Sequence, residues 1–469
     1  MIDTAALKNR ILALAMAGSV ANNGNNVNLL FESLCENAYK KDKNKISEKN
    51  YDLSELPFEI PNNWKWVWLG DIFQHNTGKA LNSSNSEGTS LEYITTSNLY
   101  WDRFELDELK TMLFKDSEID KCTVKKGDLL ICEGGDIGRS AIWSEDYDIR
   151  IQNHIHRLRP YVNEICVRFY YFVMMYYKNN GLISGRGIGL QGLSSKGLHS
   201  ILVPLPDVET QYLIAEKIDE LFSVIDVIDE LQLQYSSDLE VLKSKIIDAG
   251  IQGKLTKQLP EDGTAEELLE QIAEEKKHLI KGKKIKATKA LPEITEDEMP
   301  FEIPDNWKWV RLSEIMDVRD GTHDSPKYVE DGIPLVTSKN ISSGGLDFTN
   351  VNYISQDDAN KINERSNVDT GDILFAMIGT IGNPVIVEKD REFCIKNVAL
   401  FKNFAKDKLD IRYVYWMLMR EQYVMKKKAI GGLQPFISLK VFREYPVPLP
   451  PIAEQRRIAD KLDDVISMC

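Results

Sequence analysis

Residues 56–72 read LPFEIPNNWKWVWLGDI, and residues 299–315 read MPFEIPDNWKWVRLSEI. The same spacing, near 243 positions, carries Gly127-Asp128-Leu129-Leu130 onto Gly371-Asp372-Ile373-Leu374 and Gly189-Leu190-Gln191 onto Gly432-Leu433-Gln434. It also carries Pro204-Leu205-Pro206, with Gln211, Ala215 and Lys217, onto Pro448-Leu449-Pro450, with Gln455, Ala459 and Lys461. A period this long is a whole domain with its connector, given twice, and not a solenoid of small units. Each copy is expected to be an α/β lobe with a twisted sheet, the first over residues 57–205 and the second over 300–448.

The copies agree at their edges and differ in their middles. Between Gly78 and Lys121, and between Gly321 and Arg365, insertions differ and few side chains match. A single shared chemistry would keep its central residues, so the reverse pattern points to two related folds reading two different ligands. The repeat also wraps around the ends. LKNRILALAMAG at 7–18 matches LKSKIIDAGIQG at 242–253, and IADKLDDVISMC at 458–469 matches Ile214 to Ile225. Met1 therefore aligns with Ser236 and Cys469 with Ile225, which leaves the last helix ten equivalents short of the join. Joined head to tail, residues 449–469 and 1–56 would rebuild a second version of the connector at 206–299, in a near-cyclic, pseudo-twofold molecule.

In that connector the apolar positions Ile214, Ile218, Leu221, Ile225, Ile228, Leu239, Leu242 and Ile246, with Gln232 and Tyr235 in register, alternate steps of four and three. This is the seam of a coiled coil. A helix from about Asp207 to Ala249 would be roughly 65 Å long. Leu7, Ile11 and Leu14 continue the seam from the N-terminus, and Ile458, Leu462 and Val465 from the C-terminus, so the natural partner is this split second helix packed antiparallel. The alternative is an amphipathic helix lying on one lobe; the charges flanking the seam disfavour it.

The net charge is −14, but it is unevenly spread. Residues 57–205 hold 16 Lys/Arg against 18 Asp/Glu, residues 300–448 hold 20 against 21, and residues 206–299 hold 12 against 22. The acidity sits on the connector and leaves the lobes near neutral, which permits a basic face without revealing one. Six scattered cysteines without a C-x-x-C pair imply neither a zinc site nor a disulfide framework and fit a reducing cytoplasm. The start, KNRILALAMAGSVA, has the look of a short signal peptide, yet its match to 242–253 makes it a connector helix. No stretch is long enough to span a membrane. The Lys-rich tethers at 40–56 and 276–289 are expected to be solvated.

No nucleotide-binding, hydrolase, zinc-protease or kinase motif is present, and no methyltransferase or nuclease set stands out, which favours a binding protein over an enzyme. His323 with Asp320 and Asp324 is better read as turn chemistry than as a metal site. Trp64, Trp66 and Trp68 alternate at strand spacing, and Trp307 and Trp309 persist while Trp68 becomes Arg311; a packed strand explains them better than base stacking. Gly134 to Gly138 and Ile378 to Gly382 read as tight turns between strands. The candidate contact residues are Lys79, Ser97, Asn98, Arg103, Arg139, Gln152, Asn153, Arg186 and Gln191 in the first lobe. In the second they are Lys327, Ser338, Lys339, Asn340, Lys396, Asn397 and Gln434. Arg and Lys suit guanine edges, and Asn and Gln suit adenine edges.

The pattern PFEIPxxWxWVxL, a variable region, GDIL, a Gly-Leu-Gln turn and VPLPPxxEQxxIAxKLD leading into a long helix, given twice, resembles the specificity subunit of type I restriction-modification systems. DGTHDSPKYVEDGIPLVTSKNI, at 320–341, is similar to one variety of that family's target-recognition domain. The resemblance covers essentially the whole chain. It implies two target-recognition domains, separated by antiparallel conserved helices, that read the halves of a bipartite double-stranded DNA sequence. It further implies a chain that is non-catalytic and carries no cofactor itself. Two modification subunits that bind S-adenosylmethionine, and restriction subunits driven by ATP and Mg, would assemble around it. The rival class is a structural scaffold whose lobes bind proteins.

Overall fold

The computed structural model describes residues 1–42, 56–81, 87–183, 192–287, 290–342, 345–427 and 436–469. The chain divides into two compact units, Met1–Gln234 and Tyr235–Cys469. The division falls inside the 44-residue helix Val208–Ile251, one position from where the repeat begins its second copy. Each unit is thus one full copy, a lobe together with its share of the connector.

The central helix is long because no glycine or proline interrupts it from Val208 to Ala249. It stops where Gly253 takes φ +73° and the Lys254 N–H reaches back to the Ala249 carbonyl at 2.9 Å. The N-terminal helix Thr4–Met16 ends the same way, with Gly18 at φ +70° and Ser19 N–H donating to Leu14 O at 2.9 Å. Both are left-handed glycine stops. Glycine is required there a second time, because a Cβ would lie 2.4 Å from Pro61 at Gly18 and 2.7 Å from Pro304 at Gly253. Each helix end is therefore pressed onto the repeated Pro-x-x-Trp segment that opens its lobe.

Within the first unit the helices do pair antiparallel. Ile2, Thr4 and Lys8 bond in turn to Gln232, Asp229 and Asp226. Within the second, Ile458 and Leu462 of the helix Ile452–Ser467 pack on Ile247 and Ile251. The seam itself needs correction. Ile214, Ile218, Ile225, Ile458 and Leu462 are buried, and Ile11, Leu221, Ile228, Leu239, Ile246 and Val465 are half-buried, but Leu7, Leu14, Tyr235 and Leu242 are exposed. Leu12, Ala15 and Met16 are buried in place of Leu7 and Leu14, and Ile247, Gly250 and Ile251 in place of Leu242. A straight α-helix drifts about 20° per heptad against a 3.5 repeat. Over the five heptads from Ile214 to Gly250 this accumulates to about 100°, one residue's turn, so the buried stripe ends one position late.

Among the described residues each lobe holds two four-stranded sheets, the first built alike in both lobes, a two-stranded ribbon between the lobe's ends and a short hairpin in its middle. The first sheet orders Phe73–Thr77, Ile155–Pro160, Leu129–Cys132 and Ser140–Ile142 in one unit. In the other it orders Asp317–Asp320, Val398–Lys402, Ile373–Ala376 and Gly382–Ile386. It is antiparallel throughout. The second sheet contains one parallel pair, Thr89–Ile94 with Ile149–Ile151, matched by Ile333–Val336 with Cys394–Ile395. The ribbons pair Lys65–Trp68 with Leu202–Leu205 and Lys308–Arg311 with Pro446–Leu449. Trp64 and Trp307 are buried, and Trp66 and Trp309 pack at a tilt against Phe58 at 4.9 Å and Phe301 at 5.0 Å, but Trp68, expected to pack, is exposed. Arg311, where Trp68 stands in the first copy, is buried and gripped by Glu298 and by the carbonyls of Pro292 and Glu293, which ties the entering chain to the lobe.

The helices Val167–Asn179 and Ile411–Lys427 join each lobe's core to the connector. Arg168 bonds Asp219, and Arg412 bonds the equivalent Asp463. Gln211 accepts from Cys166 N–H and donates to Pro206 O; Gln455 accepts from Asp410 N–H and donates to Pro450 O. The helices Asn28–Asp42 and Ala265–Lys281 precede the lobes. Lys276, expected in solvent, is turned onto the Ser313 carbonyl. No helix among the described residues is long and apolar enough to cross a membrane.

Candidate nucleic-acid interface

Of the polar residues singled out by sequence, Lys79, Asn98, Arg139, Gln152 and Asn153 in the first lobe and Ser338, Asn340, Lys396 and Asn397 in the second lie where the two sheets of a lobe meet. The first sheet's edge strand ends at Gly78 or Gly321, and the next residue forms a lone parallel bridge to the end of the second sheet, Lys79 to Gln152 and Thr322 to Lys396. The approach is close enough that a Cβ on Gly78 would lie 2.0 Å from Ile151 O, and one on Gly321 2.3 Å from Ile395 O. Gly78→Ala is expected to break the Lys79 N–H to Ile151 O bond of 3.0 Å and to cost about 3 kcal/mol through overpacking. Hydrogen exchange at Lys79 reads this directly, and unchanged protection would refute the packing argument.

In the first unit, one run of loops joins Lys79, residues 95–98, the hairpin 133–139 and residues 152–154. Asn153 N–H donates to Lys79 O, Gln152 N–H to Ile94 O, Glu133 N–H to His154 O, and Arg139 Nη2 to Thr96 O. Arg103 and Arg139 both stand over the Tyr100 ring, 4.8 and 5.1 Å from its centroid. Gln152 and Asn153 are half-buried, with no side-chain hydrogen bond among the described residues. Two of the expected residues are committed elsewhere. Lys79 is half-buried, donating to Leu113 O at 2.8 Å and ion-paired with Glu118. Asn98 accepts from Thr95 N–H and Oγ1 and donates to Glu105 O, which makes it the keystone of a turn; Ser97, within that turn, is exposed and bonds Thr95.

The second unit builds the same edge with other side chains. Asn340 repeats the role of Asn98, accepting from Thr337 N–H and Oγ1 and donating to Asp347 O. Around it, Ser338 Oγ donates to Asn397 O at 3.4 Å and Lys396 Nζ to Ser325 Oγ at 2.7 Å, while Lys327 and Lys339 are exposed. His323 lies between Asp320 Oδ2 at 2.7 Å and Asn397 Oδ1 at 2.8 Å, and Arg365 holds the other Asp320 oxygen. The loop is thus built by turn chemistry, and no group of three or more metal-ligating side chains occurs among the described residues. Arg365, Ser325 and Tyr100 escaped sequence reasoning, because nothing in their local pattern marks them. Arg186, Gln191 and Gln434 lie outside the described residues.

The first edge offers the guanidinium groups of Arg103 and Arg139 and the second the ammonium groups of Lys327, Lys339 and Lys396, each with amide donors and acceptors, the groups that pair with base edges and phosphates. Because the backbone is shared and the side chains differ, fold and site together define a two-headed recognition protein. The chain belongs to the family described as "Type I restriction modification DNA specificity domain", whose model matches residues 61–234 and 304–469. It is similar to the EcoAI specificity subunit of Escherichia coli, 25% identical across 88% of this chain and 79% of that protein. Two solved structures share its fold at 18% identity. One, from work on complex assembly and conformational transition of the type I R-M system, has a TM-score of 0.61 over 88% of this chain and 92% of its own. The other, the HsdS subunit from Thermoanaerobacter tengcongensis, has a TM-score of 0.52 over 89% and 92%. DNA target recognition through two domains is accordingly the function of this chain.

Proposed function

We propose that each unit reads one half of a bipartite, asymmetric DNA target through the edge where its two sheets meet, and that the chain acts in the cytoplasm without catalysing a reaction. The observation that carries this is the exchange of side chains on a common backbone: Lys79 and Gln152 in one unit stand where Thr322 and Lys396 stand in the other, beside an asparagine that both keep, Asn153 and Asn397. Gln offers an amide pair suited to adenine, whereas Lys offers donors suited to guanine. The helices supply docking faces. Val224, Val227 and Leu231, in the first unit's part of the central helix, are exposed apolar residues at helical spacing, and a stripe of this kind suits partner subunits. Two modification subunits carrying S-adenosylmethionine, and restriction subunits using ATP and Mg, would assemble there. Near-neutral lobes leave much of the phosphate contact to those partners.

Adenine methylation mapped across the genome, with and without this gene, tests the reading. One asymmetric two-part motif is expected to lose its methylation. Exchanging residues 57–205 or 300–448 for those of a relative should then alter one half-site and leave the other. A lobe exchange that altered both halves, or neither, would support the scaffold alternative.

A further inference from the structure

The second unit's edge holds a polar chain that the first lacks. Asp320 is buried and ionically held by Arg365, so its Oδ2 can only accept, and Nε2 of His323 must carry a proton. Nδ1 of the same ring faces Oδ1 of Asn397, also an acceptor. With the Asn397 amide oxygen turned to the ring both ring nitrogens face acceptors, and this arrangement requires the imidazolium. Once Nδ1 loses its proton it becomes an acceptor, and only the other end of the Asn397 amide, Nδ2, can pair with it. The Asn397 backbone cannot move to compensate. It stands at φ 56°, donates its N–H to Thr322 O at 3.1 Å and accepts from Ser338 Oγ.

We infer that the protonation of His323 sets which end of the Asn397 amide is offered to DNA, a donor to base acceptors when the ring is charged and an acceptor to base donors when it is neutral. The inference rests on the reading of this edge as a DNA-recognition surface. With Oδ1 taken by His323, Nδ2 has no partner among the described residues and suits purine N7, guanine O6 or thymine O4; after the turn, Oδ1 suits adenine N6 or cytosine N4. The charged and titratable groups around the ring are Asp320 on the preceding strand, Arg365 on the helix Gln356–Ser366, Lys396 beside Asn397, and Asp324 on its own loop. The hydrogen bond to Asn397, with Asp320, outweighs burial and Arg365 and raises the imidazole above its usual value. Lys396 is directed to Ser325 and Asp324 is exposed. In the first unit Ala80 takes the place of His323, so Asn153 has no such partner and its half-site serves as an internal control.

The test is selection from a randomised DNA duplex pool by the full chain with its modification subunits, at about pH 6 and about pH 8.5, on either side of an imidazole titration. The wild-type complex should change its preference at one base pair of the second unit's half-site between the two conditions, by roughly tenfold in discrimination, and keep the other half-site constant. His323→Ala should remove that pH dependence. A His323→Ala complex that selects the wild-type motif at both pH values, or a wild-type half-site that does not respond, overturns the switch alone. A wild-type complex that selects no two-part sequence overturns the DNA reading instead. Nitrogen-15 NMR of the histidine ring, assigned with the same variant, decides the protonation independently: titration above the usual value supports the switch, and titration at or below it refutes it.

Discussion

Glu454→Ala is expected to destabilise the second unit by about 3–5 kcal/mol, the range for a buried charged acceptor whose donors are left unpaired. Glu454 is fully buried at the start of the C-terminal helix. One oxygen accepts from Thr256 Oγ1 at 2.9 Å and Gln258 Nε2 at 2.7 Å, the other from the Trp307 indole N–H at 2.8 Å. A single carboxylate thus fastens three parts of the unit: the turn after the central helix, the opening strand of the lobe and the helix that returns to the connector. The first unit solves the same junction differently. Thr210 stands at the equivalent position and bonds Asp207, while Asn23, equivalent to Gln258, donates to Asp207 and Glu209. The Trp64 indole nitrogen is buried with no hydrogen-bond partner among the described residues. The comparison sets the control, because Thr210→Ala removes a hydroxyl whose neighbours can still bond one another and should cost only about 1 kcal/mol. Denaturant titration followed by hydrogen exchange on peptides from each unit separates the two effects. A Glu454→Ala loss below about 1 kcal/mol would show that water replaces the carboxylate.

The same junction shows what could be read before the structure. Pro61 and Trp64, Pro304 and Trp307, and Gly18 and Gly253 announced the repeat because backbone geometry admits few substitutes there. The middles looked unrelated, yet they conceal a repeated turn from Thr95 to Asn98 and from Thr337 to Asn340. Its spacing, 242 positions, departs from that of the flanking matches, and its central residues differ, so it vanishes against the surrounding divergence. Asn98 and Asn340 therefore looked like free base readers while their amides were occupied by the turn. Lys79 was equally misleading, because Glu118 lies 39 residues away in sequence. The connector seam was legible for its first half and slipped by one position in its second, because the periodicity of a straight helix is not that of the heptad. The candidate edge could be named from residue types, but the partners that decide which groups remain available come from long-range contacts.

Acidification is expected to weaken the first unit before the second, through three histidines that no local pattern joins. His75, His156 and His199 cluster beside the first sheet, with ring centroids of His75 4.9 Å from His156 and 4.7 Å from His199. His156 is fully buried and its Nε2 faces Leu193 O at 2.7 Å, so it must donate there. Its Nδ1 is then the acceptor, and His75 Nε2 must donate to it across 2.9 Å. The arrangement requires a neutral His156, because its Nδ1 must accept from His75 Nε2 while its Nε2 donates to Leu193 O. Burial, then the neighbouring rings and Arg157, push His75 down to about 3, and burial lowers His156 and His199 as well. These folded-state values lie below the unfolded value, so the unfolded chain binds more protons between them. The stability the rings contribute is complete above about pH 6.5 and falls by roughly 1.4 kcal/mol per pH unit for each fully shifted histidine as pH drops. The second unit has Val318, Ala399 and Arg443 at these positions, and the arginine finds an acceptor in the Val318 carbonyl. Its acid-sensitive groups are carboxylates such as Glu298, which Arg311 holds down at about 2, and they respond only below the usual carboxylate range. From about pH 6.5 to about pH 5 the first unit should therefore lose roughly 2–4 kcal/mol while the second, whose His323 is raised and so stabilises it on acidification, does not weaken. Hydrogen exchange at the two pH values, corrected for intrinsic rates, reads the difference at Phe73–Thr77 and Ile155–Pro160 against Asp317–Asp320 and Val398–Lys402. His156→Ala, the residue of the second unit, should flatten the first unit's response; equal losses in both units, or an unaltered response in that variant, would refute the assignment.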